Sequence, residues 1–467
     1  MDANSNLERV NEMSANKVIV VGAGCAGLSA TYTLMKAGID VLCLEATNVY
    51  GGRCRNHKEG GYNFPAGAAF TEPQWHTTQQ YVKEFGLLSL KIPKFTFAYK
   101  KNNKYYPVLI GGIWEMVKFL PNYLKLGFGV FPFKTFFQLI KLGMQLKKDI
   151  KGVDYANHKY DTLIETSNIS TAEYVTKYGG WETMNYIFHP YTATMILARP
   201  QDIAAAHPIA LFSLMKGMSG IVGGLGEITT ALYNQVKDCV KFNTPIKKIV
   251  IKDNKVVGVE AEDGFIEADH VICAVDAQIA RKIIPDAPAH IKSTLEKCTY
   301  SSSFDCQFIV KKKLDIPPNV QAIMIPQNDE TILSTIFVGR NKDYTNIVGF
   351  TRGWMHEELT MLDQDTLAYK VMQDIRKYIP DFPDKTDYTK IFRWDRAVNL
   401  EAPGQFNAVQ DLLQNHMDDV EGLHLAGEYL FLVACTEGAL LTGKEAAEKA
   451  IDSLGMLPRN LRKPSNL

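Results

Sequence analysis

The sequence lacks the short motifs that directly assign several common enzyme classes. Its 467 residues contain no C-x-x-C pair, no G-x-x-x-x-G-K-[ST] phosphate loop and no G-x-S-x-G nucleophile motif. The ten histidines show no metal-ligand spacing. We therefore predict no metal site, and P-loop enzymes, zinc enzymes and serine hydrolases are disfavoured.

The sequence also lacks an excess of either charge, a long apolar run and paired cysteines. Lysine plus arginine and aspartate plus glutamate both number 51, so the net charge is zero and no nucleic-acid partner is predicted. No uncharged apolar run reaches the roughly 18 residues that a membrane-spanning helix needs. The polar N-terminal stretch is unlike a signal peptide, and the eight cysteines are typical of buried thiols in a reducing compartment. These features predict a cytoplasmic protein.

The most informative segment that is present is a glycine-rich turn near the N-terminus. Gly22, Gly24 and Gly27 follow the apolar run Val18–Val21 with G-x-G-x-x-G spacing. The first glycine permits a tight strand-to-helix turn, the second leaves room for a pyrophosphate, and the third lets the helix pack on the strand. Glu45 ends the next apolar run, 18 residues after Gly27, where a carboxylate can accept both ribose hydroxyls. This segment predicts a dinucleotide-binding βαβ unit.

Three segments that are far apart in the chain share one known pattern. The first contains GAGCAGL, LEA and GGR within residues 22–53, the second TPIKKI and ADHVICAV within 244–275, and the third LAGE and TEGALLTG within 425–443. This pattern resembles the flavin amine oxidase, protoporphyrinogen oxidase and phytoene desaturase superfamily. The resemblance implies an α/β fold, with a discontinuous Rossmann-like FAD-binding domain, an α+β substrate domain and a helical, aromatic-rich subregion.

The resemblance also implies the division of the chain. The FAD-binding domain is expected in residues 1–75, 215–276 and 391–455, and the substrate domain in residues 76–214 and 277–390. Residues 456–467 are expected to form a flexible tail.

The resemblance implies roles for residues in all three segments. Glu45 would contact the adenosine ribose, Arg53 the phosphate or ribityl side of FAD, and Glu428 a ribityl hydroxyl. Thr436 and Ala439 would bring a helix N-terminus to the flavin pyrimidine, where it can stabilise negative charge. The predicted cofactor-binding set is Gly22, Gly24, Ala26, Gly27, Glu45, Ala46, Gly52, Arg53, Gly67, Ala68, Ile246, Gly427, Glu428, Thr436 and Ala439.

Two departures from the family pattern bear on the chemistry. Some members hold the flavin through a cysteine, but none lies between Trp394 and Gly427, so non-covalent FAD is predicted. The better-known amine oxidases have a lysine on a strand that corresponds to Ser302–Val310, and this stretch has none. The resemblance places Trp394 near the flavin, as a substrate-contacting residue. No catalytic residue is assigned.

These observations predict an FAD-dependent oxidoreductase that removes hydride from a C–C or C–N bond of an apolar small molecule, as desaturases and protoporphyrinogen oxidases do. Because only one G-x-G-x-x-G is present, electrons should come from the substrate and pass to oxygen or a quinone rather than come from NAD(P)H. Three alternatives stay open: a redox-neutral double-bond isomerase of a polyunsaturated lipid, an amine oxidase, and a non-enzymatic flavin-binding scaffold.

Residues 91–148 have an unusual composition. They contain eleven lysines, one acid and thirteen aromatics. One interpretation is a helical cap with aromatics in the core and lysines in solvent. The other is a surface for an anionic membrane or a tunnel for an apolar substrate. The second interpretation predicts peripheral attachment to a membrane.

Overall fold

The computed structural model describes residues 17–92, 96–108, 121–122, 125, 132–153, 163–214 and 218–455. In chain order the strands are β1 (Val18–Val21), β2 (Val41–Leu44), β3 (Asn56–Glu59), β4 (Tyr62–Pro65), β5 (Ser89–Ile92), β6 (Thr96–Lys101), β7 (Lys104–Val108), β8 (Met218–Ile221), β9 (Val240–Lys241), β10 (Ile246–Lys252), β11 (Lys255–Ala261), β12 (Gly264–Glu267), β13 (His270–Cys273), β14 (Ser303–Val310), β15 (Val320–Met324), β16 (Leu333–Arg340), β17 (Thr345–Thr351), β18 (Tyr388–Trp394) and β19 (Leu423–Leu425).

The α-helices are given in the same order. They are α1 (Cys25–Lys36), α2 (His76–Glu84), α3 (Pro132–Asp149), α4 (Thr171–Thr183), α5 (His189–Met195), α6 (Ala206–Leu214), α7 (Gly226–Val236), α8 (Ala277–Ile283), α9 (Ala289–Lys297), α10 (His356–Leu359), α11 (Gln364–Tyr378), α12 (Gln405–Asp411) and α13 (Thr436–Ser453).

A parallel sheet brings both ends and the middle of the chain together. Its strand order is β19-β13-β1-β2-β9, and every pairing is parallel. β1 is buried along its whole length, as expected for a parallel strand that is covered on both faces. The tightest helix contact on this sheet joins α13 to α1, since a Cβ on Gly443 would lie 2.1 Å from the Ala26 carbonyl oxygen. The C-terminal helix is therefore locked to the helix that follows the glycine turn.

A second, mixed sheet carries the other half of the molecule. Its order is β18-β14-β17-β16-β15-β6-β7, and only the β15–β6 pair is parallel. One face of β14, with Phe304, Cys306 and Phe308, packs in a core with α11. The opposite face carries Asp305, Gln307 and Ile309, because successive strand residues alternate between faces. Ile309 packs there on the β3–β4 hairpin of the first half.

Part of the prediction for residues 91–148 is wrong. Residues 96–108 form the β6–β7 hairpin instead of a helix, with Asn102 and Asn103 both at positive φ (48° and 58°) in the turn. Asn tolerates this conformation, and two such residues match the twist of a tight hairpin. Phe97 and Tyr99 are buried in a core that also contains Leu139 and Leu142 of α3.

From Lys100 onwards, the described lysines of this region lie at the surface or are half-buried, which agrees with the cap interpretation for that part. Residues 109–120, 123–124 and 126–131 lie outside the described part of the chain. Attachment to an anionic membrane stays a prediction. None of the described helices combines the length and the apolar character that a bilayer crossing requires.

The predicted domain limits stay predictions. At one limit the sheet pairing runs across the boundary, because β18 spans residue 391 and pairs with β14 along its whole length. The predicted tail, 456–467, and residues 1–16 and 215–217 lie outside the described residues. All eight cysteines lie in the described part of the chain, and six of them are buried, as predicted for most of them.

Candidate functional site

The glycine turn has the geometry that the sequence predicts. Gly22 has φ +100°, which a side chain would strain, and its Cβ would meet the Ala274 carbonyl at 3.0 Å. A Cβ on Gly27 would lie 1.7 Å from the Gly22 carbonyl oxygen, so the third glycine allows the helix to close on the turn. Gly24 differs from both, because a Cβ there would meet nothing within 4 Å. The turn is therefore packed on its inner side and open at Gly24.

Glu45 closes one side of this opening. Its carboxylate accepts hydrogen bonds from the Ala23 N–H (2.8 Å) and the Thr47 N–H (2.9 Å). Ala46 continues the loop from β2, and the Thr244 N–H binds the Glu45 carbonyl at 2.9 Å. Ile246, which begins β10, follows two residues later. The predicted ribose and adenine residues therefore lie beside the glycine turn.

The GGR motif and the loop after β4 lie on the other side. The Cβ that Gly52 lacks would be 3.4 Å from the Gly24 Cα, so the two glycines face each other closely. A Cβ on Gly67 would be 2.4 Å from the Arg53 carbonyl oxygen, and the Ala68 N–H donates to that oxygen at 3.0 Å. Small residues at these positions let the loop lie directly against the Arg53 backbone.

Arg53 and Glu428 form an ion pair between the N-terminal and C-terminal segments. Arg53 Nη2 lies 2.6 Å from Glu428 Oε1, and the guanidinium lies over the ring of Tyr300. Burial opposes the charge of Arg53, but the attractions of Glu428, Tyr300 and Asp276 together raise the pKa of the guanidinium. Gly427, which precedes Glu428, is itself held by Thr442 of α13 through its N–H at 3.0 Å. The pair therefore places a fixed cation and a fixed carboxylate at one site.

The start of α13 completes the ring of predicted residues. Thr436 is the first helical residue, and its hydroxyl lies 3.9 Å from the sulfur of Cys54, the residue after Arg53. No side chain caps α13, and no side chain caps α1. Uncapped helix N-termini leave N–H groups for a ligand. Ala26 and Ala439, in the first turns of these two helices, carry no bulky side chain.

These features fit FAD. The opening at Gly24 and the uncapped end of α1 suit a diphosphate, Glu45 suits a ribose, and Arg53 with Glu428 suits a polar linker. The uncapped N-terminus of α13 suits the flavin ring, because this ring gains negative charge when it is reduced. The fold and this site together define a dinucleotide-binding oxidoreductase, with its cofactor groove built from three separate parts of the chain.

The sequence matches the flavin containing amine oxidoreductase family over residues 25–451, and the chain belongs to that family. It is an enzyme family, and its cofactor is FAD, as the sequence predicted. Non-covalent attachment of FAD, and the role of each individual residue, stay predictions.

The chain is also similar to individual proteins with known names. An L-amino-acid oxidase of Naja atra is 27% identical over 95% of this chain and 89% of its own length. Another, of Vipera ammodytes ammodytes, is 30% identical over 61% of this chain and 60% of its own length. Among solved structures, a cyclohexylamine oxidase of Brevibacterium oxydans has a TM-score of 0.73 at 16% identity, covering 94% of this chain and 99% of that one. A putrescine oxidase bound to putrescine has a TM-score of 0.70 at 14% identity, covering 94% and 99%. These two structures show the shared fold.

Trp394 lies where the second sheet meets the loop after β4. Its indole N–H donates to the Ala66 carbonyl at 3.0 Å, and Arg55 lies over its ring. Trp394 therefore contacts the segment that carries Gly67 and Ala68. A contact with substrate stays a prediction.

Asp305 is a buried acid that sequence reasoning did not single out. It lies on the same face of β14 as Gln307, whose amide donates to Asp305 (3.1 Å) and to the Pro65 carbonyl (2.6 Å). Burial raises the pKa of Asp305 well above its ordinary value, while the bond from Gln307 opposes this shift. Its Oδ1 is buried and has no partner among the described residues. A buried carboxyl group thus faces the loop after β4, in the strand where the family lysine is absent.

A second group that sequence reasoning missed surrounds Tyr191, and we call it the Tyr191 cluster: Glu72, Tyr191, His207, Glu401 and Gln405. Burial and the negative charges of Glu72 and Glu401 raise the pKa of Tyr191 well above its ordinary value. His207 Nδ1 and Glu401 Oε2 are 2.7 Å apart, and both side chains are buried. The Glu401 carboxylate also accepts the Ala434 N–H at 2.5 Å, two residues before Thr436. The cluster is therefore attached to the segment that joins the two predicted flavin residues Glu428 and Thr436.

Glu72 lies at the other edge of the cluster, four residues after Ala68. Only 3% of its surface is exposed, and its carboxylate accepts a hydrogen bond from the side-chain amide of Gln74. Burial raises the pKa of Glu72 to about 7, and the bond from Gln74 opposes this shift. An acid with this pKa can both hold and release a proton near neutral pH.

The cluster contains hydrogen-bonding atoms without partners. Gln405 uses its amide N–H on Asn399 (2.6 Å), but its Oε1 is buried and unpaired among the described residues. His207 Nε2 is likewise buried and unpaired there. Because Nδ1 donates to Glu401, Nε2 carries a lone pair in the neutral ring. The unpaired atoms and Glu72 are all acceptors, so the cluster can receive a hydrogen-bond donor. Residues this far apart in sequence offered no spacing signal.

Proposed function

We propose that this protein is an FAD-dependent oxidase or dehydrogenase of an apolar amine. It removes hydride from the carbon that bears the nitrogen, and electrons pass on to oxygen or a quinone. The sequence predicts hydride removal from a C–C or a C–N bond, and this proposal restricts it to a C–N bond. The observation that carries the proposal is the acceptor-rich Tyr191 cluster, which is attached to the two segments that we expect to hold the flavin ring.

An amine matches the cluster because its N–H groups are donors. A buried acceptor without a partner costs about 1–3 kcal/mol, so a ligand that pairs Gln405 Oε1 and His207 Nε2 recovers that energy. The charges of Glu72 and Glu401 favour a cationic ammonium at the same place. The apolar body of the substrate would lie against the neighbouring side chains, among them Leu432 and Val433.

The chain's own residues have definite tasks in this reaction. An ammonium group must lose a proton before its nitrogen can help to expel hydride, and Glu72, with a pKa of about 7, is suited to accept it. Glu401 and Gln405 orient the nitrogen. The aromatic and aliphatic walls exclude water and hold the C–H bond in place. When bound, FAD supplies the two-electron acceptor for the hydride.

The same cluster argues against α-amino acids, although the named relatives are L-amino-acid oxidases. An α-carboxylate offers acceptors only, and it needs a cation or several N–H donors. The charges that act on Tyr191 are both negative. Arg53, the cation in the predicted cofactor-binding set, is already paired with Glu428. We therefore propose amines without an adjacent carboxylate.

The test is anaerobic mixing of the purified holoprotein with 2-phenylethylamine, benzylamine and octylamine while the visible flavin spectrum is recorded. We expect lasting loss of the flavin absorbance, because two electrons stay on the cofactor until an acceptor is added. Readmission of oxygen or addition of a quinone should restore the colour and identify the acceptor.

The control compound is 2-phenylethanol, which has a similar shape but no nitrogen and should leave the spectrum unchanged. Reduction by neutral polyenes and not by amines would contradict the proposal. If the colour then recovered without an acceptor and a double bond had moved, the protein would be an isomerase. A flavin that no compound reduces would indicate a scaffold.

A further inference from the structure

Two histidines and an aspartate meet at the surface on the far side of the parallel sheet. His290 lies in the first turn of α9, His416 ends the short helical turn at residues 412–416, and Asp419 follows before β19. Their neighbours Ile291, Leu412 and Val420 belong to the core beneath β19. The three side chains thus join a helix to the strand that leads into Gly427 and Glu428.

The two imidazoles converge on a single carboxylate oxygen. His416 Nδ1 lies 2.8 Å from Asp419 Oδ2, and His290 Nε2 lies 2.9 Å from the same oxygen. Only the first contact is an aligned hydrogen bond. His290 Nε2 is buried and forms no hydrogen bond with any described residue. Asp419 Oδ2 therefore lies close to a ring nitrogen of each histidine but forms an aligned hydrogen bond only with His416.

The three candidate ligand atoms lie within 4.8 Å of one another. Ligand atoms around a tetrahedral zinc ion, each at about 2.0–2.2 Å from it, lie roughly 3.3–3.6 Å apart, so the two ring nitrogens would have to move away from Asp419 Oδ2 by roughly half an ångström to admit the ion. The other nitrogen of His416, Nε2, lies 3.7 Å from Asp411 Oδ2. A carboxylate behind a ring nitrogen is the usual device that orients a metal-binding histidine and strengthens it as a ligand.

We propose that His290, His416 and Asp419 bind a divalent transition-metal ion of the zinc class, with water in the remaining position. Two imidazoles and a carboxylate suit such an ion better than Mg²⁺ or Ca²⁺, which prefer all-oxygen sites. The side chains are about one-third exposed (34%, 31% and 37%), so an ion can enter without unfolding. No sequence spacing indicated the site, because the two histidines come from distant segments.

The expected consequence is structural. The ion would tie α9 to the segment before β19 and so support the position of the strand that leads into Gly427 and Glu428. A ligand that binds only the folded state raises stability. The site shares no residue with the predicted flavin groove or the Tyr191 cluster, so it does not depend on the proposed amine oxidation, and either proposal can fail without the other.

The test uses untagged, chelator-treated holoprotein titrated with Zn²⁺ by calorimetry, and with Co²⁺ by visible absorption. We expect one ion per chain, Co²⁺ bands of a four-coordinate site and a higher Tm with Zn²⁺. His290→Asn and His416→Asn should each weaken binding at least roughly tenfold, by analogy with the loss on altering metal-site partners. Flavin content and circular dichroism would check that the variants are folded.

The matched control is His57→Asn. His57 is paired with the carboxylate of Glu59 at 2.8 Å, but among the described residues no second histidine contacts that carboxylate. This variant should bind Zn²⁺ as the unaltered protein does. Absence of binding to the unaltered protein would overturn the proposal. Equal binding by all three variants would overturn it as well, because the ion would then be held elsewhere.

Discussion

Replacement of Gly24 by valine should yield a folded, colourless protein. A Cβ at residue 24 meets no atom within 4 Å, and the backbone there is extended (φ −77°, ψ −170°), so the apoprotein tolerates the side chain. The added methyl groups would occupy the space that a diphosphate needs above the start of α1. We expect FAD binding to weaken at least roughly 100-fold, about 3 kcal/mol, which is the upper part of the usual cost of overpacking.

The measurement is FAD content after gel filtration, together with Tm of the apoproteins. Gly339→Val is the matched control, because a Cβ at Gly339 also fits, with its nearest atom at 3.6 Å, but on the exposed end of β16. The control should stay yellow. Retention of a full complement of FAD by Gly24→Val, with normal folding, would show that the diphosphate does not lie at this turn.

Replacement of Glu72 by glutamine should slow the reaction and stabilise the protein at the same time. The glutamine side chain would keep the shape and one hydrogen bond but could not accept a proton. We expect the rate of flavin reduction by an amine at pH 7 to fall roughly 100-fold, the low end for loss of a general base. In the unaltered protein, the rate of flavin reduction should rise with pH near 7 as the Glu72 carboxyl loses its proton. In Glu72→Gln this rise should disappear.

The stability effect follows from the pKa of Glu72. Its folded-state value, about 7, is above the ordinary 4.5, so the folded protein holds this proton more tightly than the unfolded chain does. The buried charge of Glu72 therefore destabilises the folded protein. This destabilisation is absent below pH 4.5, grows between pH 4.5 and about 7, and levels off above that at about 3 kcal/mol. Glu72→Gln should therefore raise Tm at pH 8 and change it little at pH 5.

Glu59→Gln gives the opposite pattern and serves as the control. Hydrogen bonds from Tyr388, His57 and Lys390 lower the pKa of Glu59 to about 2, so its carboxylate contributes stability that is present above pH 4.5 and lost in acid. This variant should lose stability at pH 8 and keep its rate. If Glu72→Gln were less stable than the unaltered protein at pH 8, Glu72 would be a well-paired carboxylate, and the proposed proton transfer would be wrong.

The glycine turn could be predicted from the sequence because its signals are local. The spacing of Gly22, Gly24 and Gly27 is short, and each glycine has a separate steric reason that the structure makes visible. Glu45 follows from the length of one βαβ unit. The start of α13 was predicted from the resemblance of TEGALLTG to the family pattern, and the structure adds that Gly443 lets this helix contact Ala26.

The proposed substrate side could not be predicted, because its residues come from separate segments of the chain. Glu72, His207 and Glu401 each look like an ordinary polar residue, and only the fold brings them together and buries them. Asp305 lies in the stretch that lacks the family lysine, and what distinguishes it from other acids is its burial. The assignment of residues 96–108 to a helix failed because composition was weighed above the alternation of buried Phe97 and Tyr99.

The central claim, that an acceptor-rich cluster beside the flavin selects an amine without a carboxylate, is tested most directly by a matched pair of compounds. We would mix the anaerobic holoprotein with 2-phenylethylamine or with L-phenylalanine, which differ only in the α-carboxylate, and compare the rates of flavin reduction. The account predicts rapid reduction by the amine and none by the amino acid. Faster reduction by L-phenylalanine would contradict it and would mean that the chain shares the substrate class of its L-amino-acid oxidase relatives.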